Sequence, residues 1–294
     1  MCYVPVAMSL PGRLIDVDGV RVFFHRSGPA GGTPVVLVHG WMVGHWSWRL
    51  VVPLLAGAGL DVIALDLPGA GESDRPSPRR FAYDGEAFLH TLVGFLDALE
   101  LERAALVGHS MGGAVSLLAA ARRPERVEKL VLVDPLVYPF ELPLEGRLGT
   151  TPIVGASLFR AFTNKAALRR YLRRSVYRDP TLVSDEWVDY LYERLHRPGG
   201  MDAAHAALRL VADPSPVERV VRAVRAPTLI AWGEDDRMFP SAWARRLAAD
   251  IAGAEVHLIP ACGHAPPEEK PEELAGALVP FLAAPGGHTW RVAG

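Results

Sequence analysis

Ala104-Ala105-Leu106-Val107-Gly108-His109-Ser110-Met111-Gly112-Gly113-Ala114 is the stretch that decides the fold of this chain. Ala104 to Val107 is a short apolar run of the kind that forms a buried strand. Gly113 to Arg122 is a small-residue, apolar stretch suited to a helix packed closely on a sheet. Between them stands G-x-S-x-G, the pattern of a nucleophile elbow. The turn it implies is so sharp that Cβ atoms at Gly108 and Gly112 would collide with neighbouring backbone, so glycine is needed at both positions. It lifts the Ser110 hydroxyl above the sheet edge and aims the Met111 backbone N–H at whatever the serine attacks. The competing reading is a Gly-rich turn with an incidental serine, and the rest of the chain decides between them.

Outward from the elbow, apolar runs alternate with helical ones. Leu14–Val17 and Val20–His25 flank Asp18-Gly19, a hairpin signal. Pro34–Val38 reads as a central parallel strand ending in His39-Gly40-Trp41. A helix over about 46–56, a strand over Val62–Leu65 and an amphipathic helix over Ala87–Leu99 follow. Beyond the elbow come strands Leu130–Val133, ending at Asp134, then Thr228–Trp232 and Val256–Ile259, with a helix over Ala242–Ile251 between the last two. Such alternation predicts an α/β architecture with a mostly parallel sheet and right-handed crossovers. It breaks between about Leu136 and Pro216, where the pattern is helical and charged; this segment is expected to lie over the carboxyl ends of the strands. The expected division is a core over 14–135 and 217–284, a helical cap over 136–216, and a loose tail over 285–294.

With 294 residues, the chain is ample for a sizeable core. Half of it is apolar and 22% charged, an ordinary globular balance. A formal charge of −2 makes no case for nucleic acid or an anionic membrane. Cys2 and Cys262 are the only cysteines, so neither a disulfide framework nor a thiolate metal site is expected. The first basic residue is Arg13, which argues against a secretory signal. No apolar stretch is long enough to span a bilayer, and a cytoplasmic setting is the default. Neither H-E-x-x-H nor clustered ligand spacing occurs, so no metal or other cofactor is expected.

A serine hydroxyl needs an adjacent base, and that base an orienting acid. Cys262-Gly263-His264 follows a strand in a short loop, which places His264 where it can reach Ser110. Trp232-Gly233-Glu234-Asp235-Asp236-Arg237 follows another strand end and supplies carboxylates. The order serine, acid, histidine is the one found in α/β-hydrolases. Residues 14 to 284 resemble that superfamily: His39-Gly40-Trp41 is similar to its oxyanion loop, and Asp66-Leu67-Pro68-Gly69-Ala70-Gly71-Glu72-Ser73 to its D-x-P-G-x-G-x-S turn. Gly233 to Arg237 is similar to its acid loop, in which the acid falls three after the glycine. The resemblance implies Asp236 as the acid, with Asp134 and Asp235 as the alternatives. It implies the Trp41 and Met111 N–H groups as the oxyanion hole, and His39 as a residue that holds the loop without doing chemistry.

The expected chemistry is acyl transfer to water from a small-molecule carboxylic ester, through an acyl-serine. His109, Trp46, Phe159, Phe162 and Tyr171 are candidate pocket residues, with core packing the competing role for each; Trp48 shares both readings with Trp46. Trp187 and His196 come next in line. The nearest rival reaction is carbon–carbon hydrolysis of the meta-cleavage type. That family commonly has an Asn before the nucleophile and a Trp after the base, where this chain has His109 and Ala265. Arg194 or Arg197 would be the carboxylate ligand for such a substrate, with surface salt bridges as the plainer role. Cofactor-free haloperoxidase or perhydrolase chemistry uses the same triad and is a further alternative. A binding protein with a dead pocket is the non-enzymatic one. Ser110 stands where dehalogenases and epoxide hydrolases of this fold need a carboxylate. The basic run Lys165, Arg169, Arg170, Arg173, Arg174, Arg178 reads as a solvated helix face, with docking of an acidic partner as its alternative. The oligomeric state is left open.

Overall fold

A computed structural model describes residues 10–141, 149–151 and 154–284 of the chain; the tail expected over 285–294 lies outside them. Eight strands form one sheet: β1 (Arg13–Val17), β2 (Val20–Ser27), β3 (Pro34–Val38), β4 (Asp61–Leu65), β5 (Ala104–His109), β6 (Val127–Val133), β7 (Thr228–Gly233) and β8 (Glu255–Ile259). Their order is β1-β2-β4-β3-β5-β6-β7-β8. β1–β2 and β2–β4 are antiparallel, and every pairing from β4–β3 through β7–β8 is parallel.

The unbroken apolar strands have a simple cause: both faces of the sheet are covered. Successive side chains point to opposite faces. Val36, Val38, Leu106, Leu130, Leu132 and Ile230 therefore join one core, which includes residues of the helices Gly85–Ala98 and Met111–Arg122. Val35, Leu37, Val107, Val131, Val133 and Leu229 join the other, with residues of Val52–Gly57 and Pro271–Ala283. Asp84 caps the helix Gly85–Ala98, its carboxylate accepting from the Ala87 N–H at 2.9 Å.

One expected helix is broken. Instead of a single helix over about 46–56, a 3₁₀ turn His45–Trp48 is followed by a short helix Val52–Gly57. Pro53 has no N–H to donate back along a continuing helix, so the helix restarts with the proline in its first turn. Between β6 and β7 the described residues hold helices Gly155–Phe162, Lys165–Tyr171, Asp185–His196 and Gly200–Ala212, and no strand. This inserted segment is tied to the core: Glu72, in the turn after β4, accepts from Arg194 at 2.9 Å and from Arg197 at 2.5 Å. The carboxyl ends of β3, β5, β6, β7 and β8 lead respectively into His39, Ser110, Asp134, the Asp236 loop and the His264 loop. Ligands bind along that edge in open α/β sheets.

Candidate active site

Ser110 sits between β5 and the helix Met111–Arg122 with φ 53° and ψ −118°, a conformation costly for any residue with a side chain. The neighbouring glycines make it possible. A Cβ on Gly108 would lie 2.4 Å from the Gly112 oxygen, and one on Gly112 would lie 2.2 Å from the Val38 oxygen. Met111 is the first helical residue, so its N–H has no carbonyl a turn earlier to bond. Trp41 belongs to the loop after β3. His39 braces that loop: its Nε2 accepts from the Leu67 N–H at 2.9 Å, which leaves Nδ1–H to donate to the Gly40 carbonyl at 2.7 Å. Burial pushes His39 below its ordinary pKa, which keeps it neutral for this role.

The three residues expected to act together are brought together. Ser110 Oγ lies 3.0 Å from His264 Nε2, and His264 Nδ1 lies 2.8 Å from Asp236 Oδ2. The other Asp236 oxygen accepts from the backbone N–H groups of Met238 at 2.7 Å and Phe239 at 3.0 Å. Burial works against ionisation of Asp236, but the His264 imidazole and these N–H donors outweigh it and hold the carboxyl below the usual range. The Phe239 ring stands edge-on against the imidazole, with centroids 4.8 Å apart.

The two alternative acids are placed differently. Asp134 is fully buried behind the Ser110–His264–Asp236 group, with one oxygen accepting from the Gly233 N–H at 3.0 Å and the carboxyl set against that of Asp236. Burial and the neighbouring Asp236 charge raise its pKa well above the usual range, which disfavours a second carboxylate charge beside Asp236. Asp235 is half exposed and pairs with Arg178.

A cavity of about 60 Å³ opens onto Ser110 and His264, walled by Trp41, Leu136, Tyr171, Leu172, Leu191 and Met238 among others. Among the described residues, its lining contains no lysine, arginine, aspartate or glutamate. His109 contributes to this wall, and its Nε2–H donates to the His264 carbonyl at 2.7 Å. Burial pushes His109 down to about 3, so the ring stays neutral. Tyr171 lines the cavity with its hydroxyl 3.5 Å from the Met238 sulfur. A smaller cavity of about 30 Å³ lies across Trp41 and Met42, where Met111, Leu67 and the expected candidate Arg194 contribute.

Two pocket candidates are corrected. Trp46 is buried away from the cavity, stacked on Tyr190 at 5.6 Å with the Arg49 guanidinium 5.3 Å from its ring. It shelters the buried Arg49–Glu268 ion pair, a site where an apolar ring covers charge rather than substrate. Phe159 packs on Trp41 at 6.0 Å and on His205 at 5.6 Å and leaves the cavity wall to other residues. The side chain of Phe162 lies outside the described residues. Trp48 is buried in the core on the opposite face of the sheet. Trp187 belongs to the same aromatic packet as Trp46, stacked on Tyr190, and His196 is exposed against Tyr192. Arg194 and Arg197 are committed to Glu72, and Lys165, Arg169 and Arg178 to Asp189, Asp185 and Asp235. Leu168 and Leu172, whose apolar cap pattern suggests a pocket, do line the cavity, whereas Leu136, Leu191 and Met238 carry no separate signal in the sequence, where a cavity-facing apolar residue has the same pattern as a core-facing one.

The family model of the alpha/beta hydrolase fold matches residues 33–271. A 2-hydroxymuconate semialdehyde hydrolase of Pseudomonas sp. (strain CF600) is 35% identical over 92% of this chain and 94% of its own length. The uncharacterized hydrolase YugF of Bacillus subtilis (strain 168) is 31% identical over 92% of this chain and 98% of its own. Among solved structures, a meta-cleavage product hydrolase from Pseudomonas fluorescens IP01 superposes with a TM-score of 0.79 at 28% identity, covering 92% of this chain and 97% of that one. These relatives weigh toward carbon–carbon hydrolysis, the rival reaction, more than toward the carboxylic ester expected from the sequence. With the elbow, the parallel sheet and the serine–histidine–aspartate relay in place, the chain belongs to the alpha/beta hydrolase family and is a hydrolase.

Proposed function

We propose that this hydrolase transfers an acyl group from a small, largely apolar substrate to water through Ser110. The observation that carries the reading is the relay of 3.0 Å and 2.8 Å facing an apolar cavity. His264 takes the Ser110 proton as the hydroxyl attacks the substrate carbonyl, returns it to the leaving group as that bond breaks and the acyl-serine forms, and then deprotonates the water that releases the acid and regenerates Ser110. Asp236 fixes the imidazole with its proton on Nδ1 and stabilises the imidazolium. The Trp41 and Met111 N–H groups receive the developing oxyanion, where one such donor is worth about 3 kcal/mol of barrier. Residues 136–216 act as a cap that shapes the pocket over the core formed by 14–135 and 217–284.

The leaving group is carbon on the first reading, which rests on the names of the relatives: 2-hydroxymuconate semialdehyde hydrolase and 2-hydroxy-6-oxo-2,4-heptadienoate hydrolase, each 35% identical. An ester oxygen is the second reading, and one observation favours it. Those relatives are named for substrates that carry an acid group, whereas the lining of the cavity at Ser110 offers no cation, and Arg194, which lines the adjoining smaller cavity, is already paired with Glu72, as is Arg197. A meta-cleavage dienoate run beside p-nitrophenyl esters of rising chain length separates the two readings by kcat/KM. Preference for the dienoate supports carbon–carbon hydrolysis, preference for esters supports the second reading, and inertness toward both with no fluorophosphonate labelling of Ser110 refutes the proposal.

A further inference from the structure

We infer that Glu269 is a positioning residue that ties the inserted helical segment to His264, so that the imidazole keeps its reach to Ser110 only while that segment is seated. This rests on the reading of His264 as the base for Ser110. Glu269 is a buried carboxylate, 9% exposed, with no counter-cation hydrogen-bonded to it among the described residues. Its ligands are backbone. Oε1 accepts from the Gly263 N–H at 2.9 Å, and Oε2 accepts from the Arg178 N–H at 2.8 Å and the Asp179 N–H at 3.3 Å. One carboxylate thus bridges the residue before His264 and the strand of chain that leaves the turn Leu172–Val176.

The two backbones also touch directly. The His264 N–H donates to the Val176 carbonyl at 2.7 Å. A Cβ on Gly263 would lie 2.6 Å from both the Arg178 nitrogen and the Val176 oxygen, so no side chain fits between the loop and the inserted segment. From the other side, the His264 carbonyl is held by the His109 Nε2–H at 2.7 Å. The imidazole is therefore suspended between the elbow and the insertion. Leu172 and Val176 line the cavity, so whatever fills it bears on the same turn that Glu269 secures.

A carboxylate suits this position because three donors converge on it and it only accepts. Glutamine has the same shape but one oxygen, and its amide NH₂ would face an N–H. A loss of placement on the order of 1 Å in a catalytic group can cost about 10²-fold in rate. The exposed Arg178–Asp235 pair spans the same junction, but such surface pairs contribute little.

The test compares Glu269→Gln with Asp235→Asn, which breaks only the outer pair. The readout is the second-order rate of fluorophosphonate labelling of Ser110, measured on folded protein well below its melting temperature. Glu269→Gln is expected to label at least fivefold more slowly, with kcat lowered and KM for a small substrate unchanged; Asp235→Asn is expected to label within twofold of the parent. A purely structural role would lower the melting temperature and leave the labelling rate of folded protein unmoved, so a loss under fivefold overturns the inference. Should Glu269→Gln not fold, Gly263→Ala, whose Cβ would lie 2.7 Å from Glu269 Oε1 and 2.6 Å from the Arg178 nitrogen and so disturbs the same clamp, is read by the same threshold. If the parent itself does not label, or Ser110→Ala labels equally, the reading of His264 falls and not the clamp alone.

Discussion

Asp236→Asn is expected to lower turnover by about 10⁴, close to 5.4 kcal/mol of barrier. The magnitude follows from the hydrogen bonds around the carboxylate. Asp236 Oδ1 receives two backbone donors, Met238 and Phe239, at 2.7 and 3.0 Å, and only an oxygen satisfies both. An asparagine there keeps its oxygen on those donors and turns its NH₂ toward His264 Nδ1, 2.8 Å from the position of the lost oxygen. Nδ1 must then accept, so the ring proton moves to Nε2, the atom that faces Ser110 Oγ at 3.0 Å. A protonated Nε2 has no lone pair to take the serine proton. Asp134→Asn is the matched control, because Asp134 has no hydrogen bond to His264 among the described residues and an amide oxygen can still accept from the Gly233 N–H. It should stay within threefold of the parent. The assay is steady-state hydrolysis of the preferred substrate, with circular dichroism to show that each variant is folded. An Asp236→Asn rate within tenfold of the parent, or a larger loss in Asp134→Asn, refutes the assignment.

Ser110→Ala and His264→Ala should each lower turnover by about 10⁴ to 10⁶, and the double variant should be no slower than the single ones, because a relay acts as a unit. Additive losses in log rate would show that His264 does not serve this serine. His109, pushed down to about 3 by burial, is neutral in both folded and unfolded chains above its unfolded pKa of about 6.5. Below that pH the unfolded chain binds a proton that the folded one refuses, so its stabilising contribution is lost as pH falls toward 3, by up to about 1.4 kcal/mol per unit. Urea unfolding of His109→Gln between pH 6.5 and 5 should show a shallower decline than the parent, and equal slopes would count against a neutral buried His109. Tyr171→Ala should change the preferred substrate length, whereas Phe159→Ala should keep it and cost about 3 kcal/mol of stability; the reverse pattern in a substrate panel would overturn the assignment of cavity wall and packing.

The positions of Ser110, the glycines on either side of it, Asp236 and His264 were legible in the sequence because each follows a strand end in a turn with local backbone requirements. A strand-to-helix turn with ψ −118° at its apex tolerates no Cβ at Gly108 or Gly112, so the motif must be written into consecutive residues. The strands were legible for a similar reason, since a sheet buried on both faces demands unbroken apolar runs such as Val35–Val38. Tertiary structure alone decided the walls. Whether Trp46 or Leu191 lines the cavity depends on which neighbours reach it across the chain: Tyr190 and Arg49 cover the tryptophan, while the leucine lies in the cavity wall. Likewise Asp134 and Asp236 are equivalent as letters, and they differ because one lies behind the relay with a single N–H donor and the other holds His264 on one oxygen and two N–H groups on the other. Glu269, separated from Arg178 by 91 residues, becomes a bridge only when the inserted segment folds back over its loop. Local motifs encode conformations, but burial and hydrogen-bond partners come from residues far apart in the chain, and these determine which of two identical carboxyls holds His264 and which of two aromatic rings lines the cavity.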